Sequence, residues 1–292
     1  MRPWGALSVG GMLLLAGVAA VYALAGAGDV SETESSTGVL AGLCEASAIV
    51  RAGEGYLVGD NETEDRLHAF TRAFQPTASR ALSSPVEDIE ALALGNDGLL
   101  VVGSQGASRK GKRKPDRELV LLDGHPPVRP DLSACAECDA ARPLPPKEGG
   151  LSVEGAAFWA GKLWFGVRSP APGGKALLLG MDGTPTTDLR ASERVKLDLD
   201  GFGVRDLTTH GGALLVLAGP VDGREAPHRV YMLDRREGTP TVLPIELPFG
   251  AEGIVVDEGA LVVVTDGDGQ PGKPCKEPAR WVRMPMPVAP IP

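Results

Sequence analysis

One plan recurs five times along this chain: an acidic residue, a short apolar run, a polar glycine turn and a second apolar run. The copies are CEASAIVRAGEGYLVGDNE from Cys44, IEALALGNDGLLVVGSQG from Ile89, VEGAAFWAGKLWFGVRSP from Val153, VRDLTTHGGALLVLAGP from Val204 and AEGIVVDEGALVVVTDGDG from Ala251. Their first acids, Glu45, Glu90, Glu154, Asp206 and Glu252, lie roughly 45 to 65 residues apart. A repeat of that length built from short strands cannot bury its apolar faces alone. Such repeats stack as blades around a central channel.

The first four copies continue into further strand-like runs, as LHAFTRA and ASRALS do in the first. The last copy has only ARWVRMPM after its hairpin, while an orphan run, TGVLAGL from Thr37, precedes the first copy. The expected fold is therefore all-β, a single β-propeller of five blades whose ring is closed by the N-terminal strand. Six blades is the alternative, if the long step from Glu90 to Glu154 hides a degenerate blade rather than the proline-rich insertion 124–150. The expected organisation is 1–27 signal peptide or N-terminal anchor, 28–36 polar linker, 37–284 propeller and 285–292 Pro-rich tail.

The N-terminus carries Arg2 and then no charged side chain until Asp29, with Ala23, Ala25 and Ala27 at spacings that suit cleavage. This reads as an export signal, and an uncleaved anchor is the other reading, because the uncharged stretch could span a bilayer. The expected location is periplasmic or secreted. A net charge of −9 over 292 residues argues against a nucleic-acid partner, and against membrane contact other than through the N-terminal segment. In an exported chain four cysteines suggest disulfides. Cys44 and Cys275 fall beside the same blade on one face, which predicts that pair and leaves Cys135 with Cys138. The C-A-E-C spacing lacks the further ligands that zinc would need. It lies in a Pro-rich segment rather than at the start of a helix, which argues against a redox pair.

If the acids open the innermost strands, Glu45, Glu90, Glu154, Asp206 and Glu252 meet at one mouth of the channel. Asp60, Glu62, Asp266 and Asp268 leave second strands on the same face. Converging carboxylates repel unless a cation or arginines neutralise them, and calcium is the metal that prefers such oxygen-rich surroundings. Alternatively each acid is anchored to backbone N–H groups or to Arg168 and Arg205, holding blade to blade. The basic run SRKGKRKPDRE supplies Arg109 and Lys112, which with Arg168 and Arg205 could hold an anion; otherwise it is a solvated loop. No G-x-S-x-G, H-E-x-x-H or P-loop occurs, and His68, His125, His210 and His228 are scattered.

At CEASAIV, VEDIEALAL, VVGSQGASRKGKRKPDREL, LSVEGAAFWAGKLWFGVRSP, GFGVRDL and AEGIVVDEGALVVVTDGDG, over roughly residues 44 to 270, the chain resembles the bacterial family known as domain of unknown function 3616. The resemblance implies a propeller-like fold and supplies no activity. The family usually reads G-S-H where this chain has Gly103-Ser104-Gln105, and often G-R-G-I-R-D where it has Gly201-Phe202-Gly203-Val204-Arg205-Asp206. The E-G pairs also look like those of calcium-dependent lactonase-type and phytase-type propellers, a likeness of fold. The functional expectation is a binding module for a metal ion or small polar or anionic ligand at the channel mouth. The alternatives are a calcium-assisted hydrolase of phosphate esters or lactones, using Glu154, Glu252 and Asp266 on the metal, and a structural scaffold that binds other proteins.

Overall fold

Apolar runs of five to eight residues separated by glycine turns form antiparallel hairpins, and here they do so in five successive sheets. The computed structural model describes residues 35–222, 224–267 and 275–287. The expected leader at 1–27, most of the linker, Asp268 and most of the Pro-rich tail lie outside the described residues. The architecture is an all-β, five-bladed propeller. Blade one comprises Ala46–Ala52, Gly55–Asp60, Arg66–Thr71 and Arg80–Ala81, in sequence order outwards from the channel. Blade three comprises Ser152–Trp159, Lys162–Ser169, Ala176–Asp182 and Arg190–Leu197. Blade four comprises Gly203–His210, Ala213–Gly219, Arg229–Leu233 and Thr241–Val242. Its outer strand is shorter than the apolar run TVLPIEL suggests, because Pro244 cannot donate to a ladder.

Blade two has three strands, Ile89–Gly95, Gly98–Gly103 and Val120–Leu122. The long step thus hides an insertion rather than a sixth blade. Val128 bridges to Val120 at the outer edge, and Asp131 bridges to Arg190 of blade three. Leu132, Cys135, Cys138 and Ala141 then fill the apolar gap between the two blades. The cysteines do sit at a helix, contrary to the loop expected: Cys135 caps Ala136–Ala141, and its Sγ accepts the Cys138 N–H. Apolar packing against blades two and three overrides the proline-rich surroundings.

Blade five comprises Ala251–Asp257, Ala260–Thr265 and Arg280–Pro285, and Ser36–Val39 pairs antiparallel with Arg280–Arg283 as its outermost strand. Blade five also meets blade one through side chains. The Asp257 carboxylate accepts the Tyr56 hydroxyl at 2.7 Å and pairs with Arg51. Cys44 and Cys275 are bonded, as are Cys135 and Cys138. The first bond closes a loop of 231 residues, which by chain entropy contributes about 5 kcal/mol, against about 2 kcal/mol for the short one.

One backbone feature is common to all five blades. Pairing between the innermost and second strands skips a residue at Ser47, Glu90, Glu154, Arg205 and Glu252. A β-bulge leaves its extra residue unpaired and re-aims the side chain. The next residue packs against the neighbouring blade, where room is short. A Cβ on Gly253 would stand 3.0 Å from the Ile49 nitrogen, and one on Gly155 would stand 3.0 Å from the Leu207 nitrogen.

Candidate functional site

The repeated bulge sets which side chain each blade sends to the channel mouth. The five equivalent positions hold Ser47, Glu90, Glu154, Arg205 and Glu252. They are not the five acids that the sequence spacing aligned. Glu45 lies two residues before its bulge and bridges to Asp266 at the blade edge. Asp206 lies one residue after its bulge and turns between blades four and five. Its carboxylate accepts the Leu207 and Ile254 N–H groups at 2.7 Å each. Burial pushes its pKa well above the usual carboxylate range, while the two N–H donors pull the other way. Asp206 is a blade latch.

On one side of the mouth the charges are matched. A single Arg205 nitrogen donates to Glu252 at 2.7 and 2.8 Å and to Glu154 at 3.3 Å. Glu154 also accepts from Arg168 at 3.0 Å and from the Ser152 hydroxyl at 2.8 Å. The Pro220 carbonyl accepts from both arginines. Burial opposes ionisation of Glu154, yet Arg168 and Arg205 hold it below the usual range. Burial and the neighbouring Glu154 push Glu252 up to about 7 against the pull of Arg205. The guanidinium of Arg205 thus stands between Glu154 and Glu252, two of the carboxylates to which calcium was assigned. Among the described residues, no three His, Cys, Asp or Glu side chains converge as a ready metal cage.

On the other side the charges are unmatched. Glu45, Glu62 and Glu90 have no side-chain hydrogen bond or ion pair among the described residues. Burial, then Glu154, Asp88 and Glu252, raise Glu90 well above the ordinary range. Burial, then Asp266, Glu62 and Asp60, raise Glu45 to about 7. Burial and Asp60 raise Glu62. These three carboxyls line a cavity of about 610 Å³ together with Asp88, Glu154, Arg109, Arg117 and Arg168. A cavity of that size takes a small organic ligand.

The basic run divides its labour. Arg109 lines the cavity, whereas Lys112 is exposed and does not. Arg117 and Lys114 pair with Glu87, Arg117 also reaches Asp88 at 3.0 Å, and Arg113 pairs with Glu118. Gln105, at the position of the family's imidazole, has φ +60° and donates to the Gly103 carbonyl, so it acts on the backbone. Arg205 lines a second cavity of about 270 Å³ with Glu252, Asp266, Phe249 and His228. His228 was not foreseen as a site residue, because a lone histidine in HRVYML carries no pattern. Asp88, at φ +60° beside Arg117, was also unforeseen.

The family described as "Protein of unknown function (DUF3616)" matches residues 139–241, which is the family the sequence motifs resemble. The matched stretch carries Glu154, Arg168 and Arg205. No curated protein matches the chain. Among solved structures, Bacteroides ovatus xyloglucan PUL GH43B is similar with a TM-score of 0.50 at 12% identity, over 80% of this chain and 50% of that one. An exo-β-1,3-galactanase from Phanerochaete chrysosporium, solved with β-1,3-galactotriose, gives 0.52 at 9% identity, over 85% and 63%. The β-propeller domain of Cps50 (Swd1) from Myceliophteria thermophila gives 0.35 at 9%, over 82% and 99%. This chain spans half of the first protein and less than two thirds of the second. At such identities the likeness is one of fold.

Proposed function

We propose that this propeller is a binding module that takes a small polar ligand, rich in hydrogen-bond donors or carrying positive charge, in the channel-mouth cavity. The observation that carries the reading is the set of three carboxyls without a side-chain partner among the described residues, Glu45, Glu62 and Glu90, facing one cavity of about 610 Å³. Half-buried carboxyls left without partners lose part of their hydration, at some cost in stability. A ligand that donates to them offsets that cost, and Glu154 and Arg168 line the same cavity from the matched side. Calcium is one candidate occupant: bound at Glu154 and Glu252 it would have to displace Arg205, whereas the unmatched side leaves oxygens available.

The test is thermal unfolding of the oxidised protein against calcium, chelator, polyamines and neutral sugars, beside Glu90→Gln. A ligand that binds only the native state stabilises it by about 2.7 kcal/mol at a hundredfold excess over Kd. The expected result is a shift with one class of ligand that Glu90→Gln abolishes. A shift that survives in Glu90→Gln puts the ligand elsewhere and rejects the cavity as its site.

A second reading, a hydrolase, is favoured by the Glu90–Glu154 pair. Carboxyls whose pKa values are pushed apart within one cavity can divide acid and base roles. Arg109 and Arg168 would orient an anionic substrate, with calcium on the free carboxylates polarising it. Screening calcium-loaded protein against phosphomonoesters, phytate and sugar lactones tests it. Turnover no greater than that of Glu90→Gln rejects it.

A further inference from the structure

The second cavity, of about 270 Å³, lies beside the first on the same face of the ring. The two share a wall. Glu154 and Arg168 face the larger cavity, Glu252 and Pro220 face the smaller, and Arg205 bonds across between them. The rim of the smaller cavity carries Phe249, which at 70% exposure is the most exposed large apolar side chain among the described residues. An aromatic ring left in water beside a polar cavity marks a contact surface.

Behind the lining of this cavity lie unsatisfied polar atoms. His228 is 7% exposed and Arg205 8%, and among the described residues neither ring nitrogen of His228 nor the Nε of Arg205 has a partner, all three atoms being closed off from the cavity. Burial, then Arg205 and Arg168, push His228 down to about 4, so near neutral pH its ring is an uncharged part of the cavity wall. Glu225, Glu252, Asp266 and Glu277 add acceptors, and Arg205 and Arg224 add donors. A simple anion would meet the four carboxylates, and a simple cation would meet the two guanidiniums. Hydroxyl groups, which donate and accept at once, satisfy both sets. A pyranose ring also presents a face of C–H groups that stacks on an aromatic plane.

We infer that the Phe249–His228 cavity is a subsite for one sugar unit of a neutral oligosaccharide whose adjacent unit occupies the channel-mouth cavity, an inference that rests on the reading of the channel mouth as the ligand site. Phe249 supplies the stacking face, and Glu252 and Arg205 the hydroxyl contacts.

The test is calorimetric titration of the full chain, disulfides oxidised, with gluco-, xylo- and galacto-oligosaccharides from monosaccharide to tetrasaccharide. Parent, Phe249→Ala, Phe249→Tyr and Glu90→Gln are compared. The expected result is tighter binding of oligosaccharide than monosaccharide in the parent. Phe249→Ala loses about tenfold in affinity for the oligosaccharide with none lost for the monosaccharide, Phe249→Tyr restores the gain, and Glu90→Gln weakens both. Oligosaccharide binding that Glu90→Gln weakens and Phe249→Ala leaves unchanged overturns the subsite while the channel-mouth reading stands. The subsite is likewise overturned if no saccharide binds but a polyamine or calcium does so through Glu90. Binding of every probe that is indifferent to Glu90→Gln overturns both.

Discussion

The two sides of the channel mouth are built from the same backbone device and put it to different ends. In blades three to five the bulged residues are Glu154, Arg205 and Glu252, and they neutralise one another across the blade boundaries. In blades one and two they are Ser47, whose hydroxyl donates to the Ile89 carbonyl at 2.5 Å, and Glu90, which has no side-chain partner among the described residues. One side holds blades in place. The other leaves carboxyls turned towards a cavity. Whether an acid at a channel mouth is structural or available therefore depends on the side chain that the neighbouring bulge supplies, rather than on the acid itself.

The difference is broken most severely at Arg205. In Arg205→Met both Glu154 and Glu252 lose their shared cation inside the ring, and loss of one partner of a buried ion pair costs about 3–5 kcal/mol. Urea denaturation gives the figure, and a loss below about 1 kcal/mol would mean that the matched side is solvated after all. Next comes Asp206→Asn. An amide can accept from only one of the Leu207 and Ile254 N–H groups and turns an NH₂ to the other, so a loss of about 1–3 kcal/mol is expected. A neutral result would contradict the latch.

A smaller effect appears on changing pH. Glu45 titrates near 4.5 when unfolded and at about 7 when folded. Between those values the native state retains a proton that the unfolded chain has released, so stability falls as pH rises and levels off above about 7. The partial exposure of Glu45 limits its share to on the order of 1 kcal/mol. Glu45→Gln should flatten the stability–pH curve in that window while leaving the part due to Glu252. An unchanged slope would put Glu45 in solvent. The mildest change is Glu90→Gln, which removes a partnerless acid and should leave stability the same or slightly raised. A loss as large as that of Asp206→Asn would erase the distinction between the two sides.

Much of this architecture can be read from residues. The E-G pairs at Glu154 and Glu252, the turns that follow, and the shared side of Cys44 and Cys275 all follow from spacing. The register at the mouth does not. A bulge inserts one residue into a strand without altering its apolar pattern, so alignment on acids chose Asp206 over Arg205 and Glu45 over Ser47. A better signal lies in the residue after each bulge, which must be small where inner strands converge: Ala48, Ala91, Gly155 and Gly253. Aligning on those finds Ser47, although Asp206 itself breaks the rule by filling that place with a latch. The second cavity is hidden for another reason. Phe249 lies in the link between blades four and five and His228 just before the third strand of blade four, and the two are joined only by the fold.

Glu90 and Glu154 are two glutamates at equivalent bulges whose protons should behave in opposite ways. The most direct measurement is a carbon-13 NMR titration of glutamate side-chain carboxyls, with Glu90→Gln to assign one signal and Arg205→Lys to move the other. Glu154 is expected to titrate below the ordinary glutamate value and Glu90 well above it. Both carboxyls titrating together near the ordinary value would contradict the division of the mouth into a matched and an unmatched side.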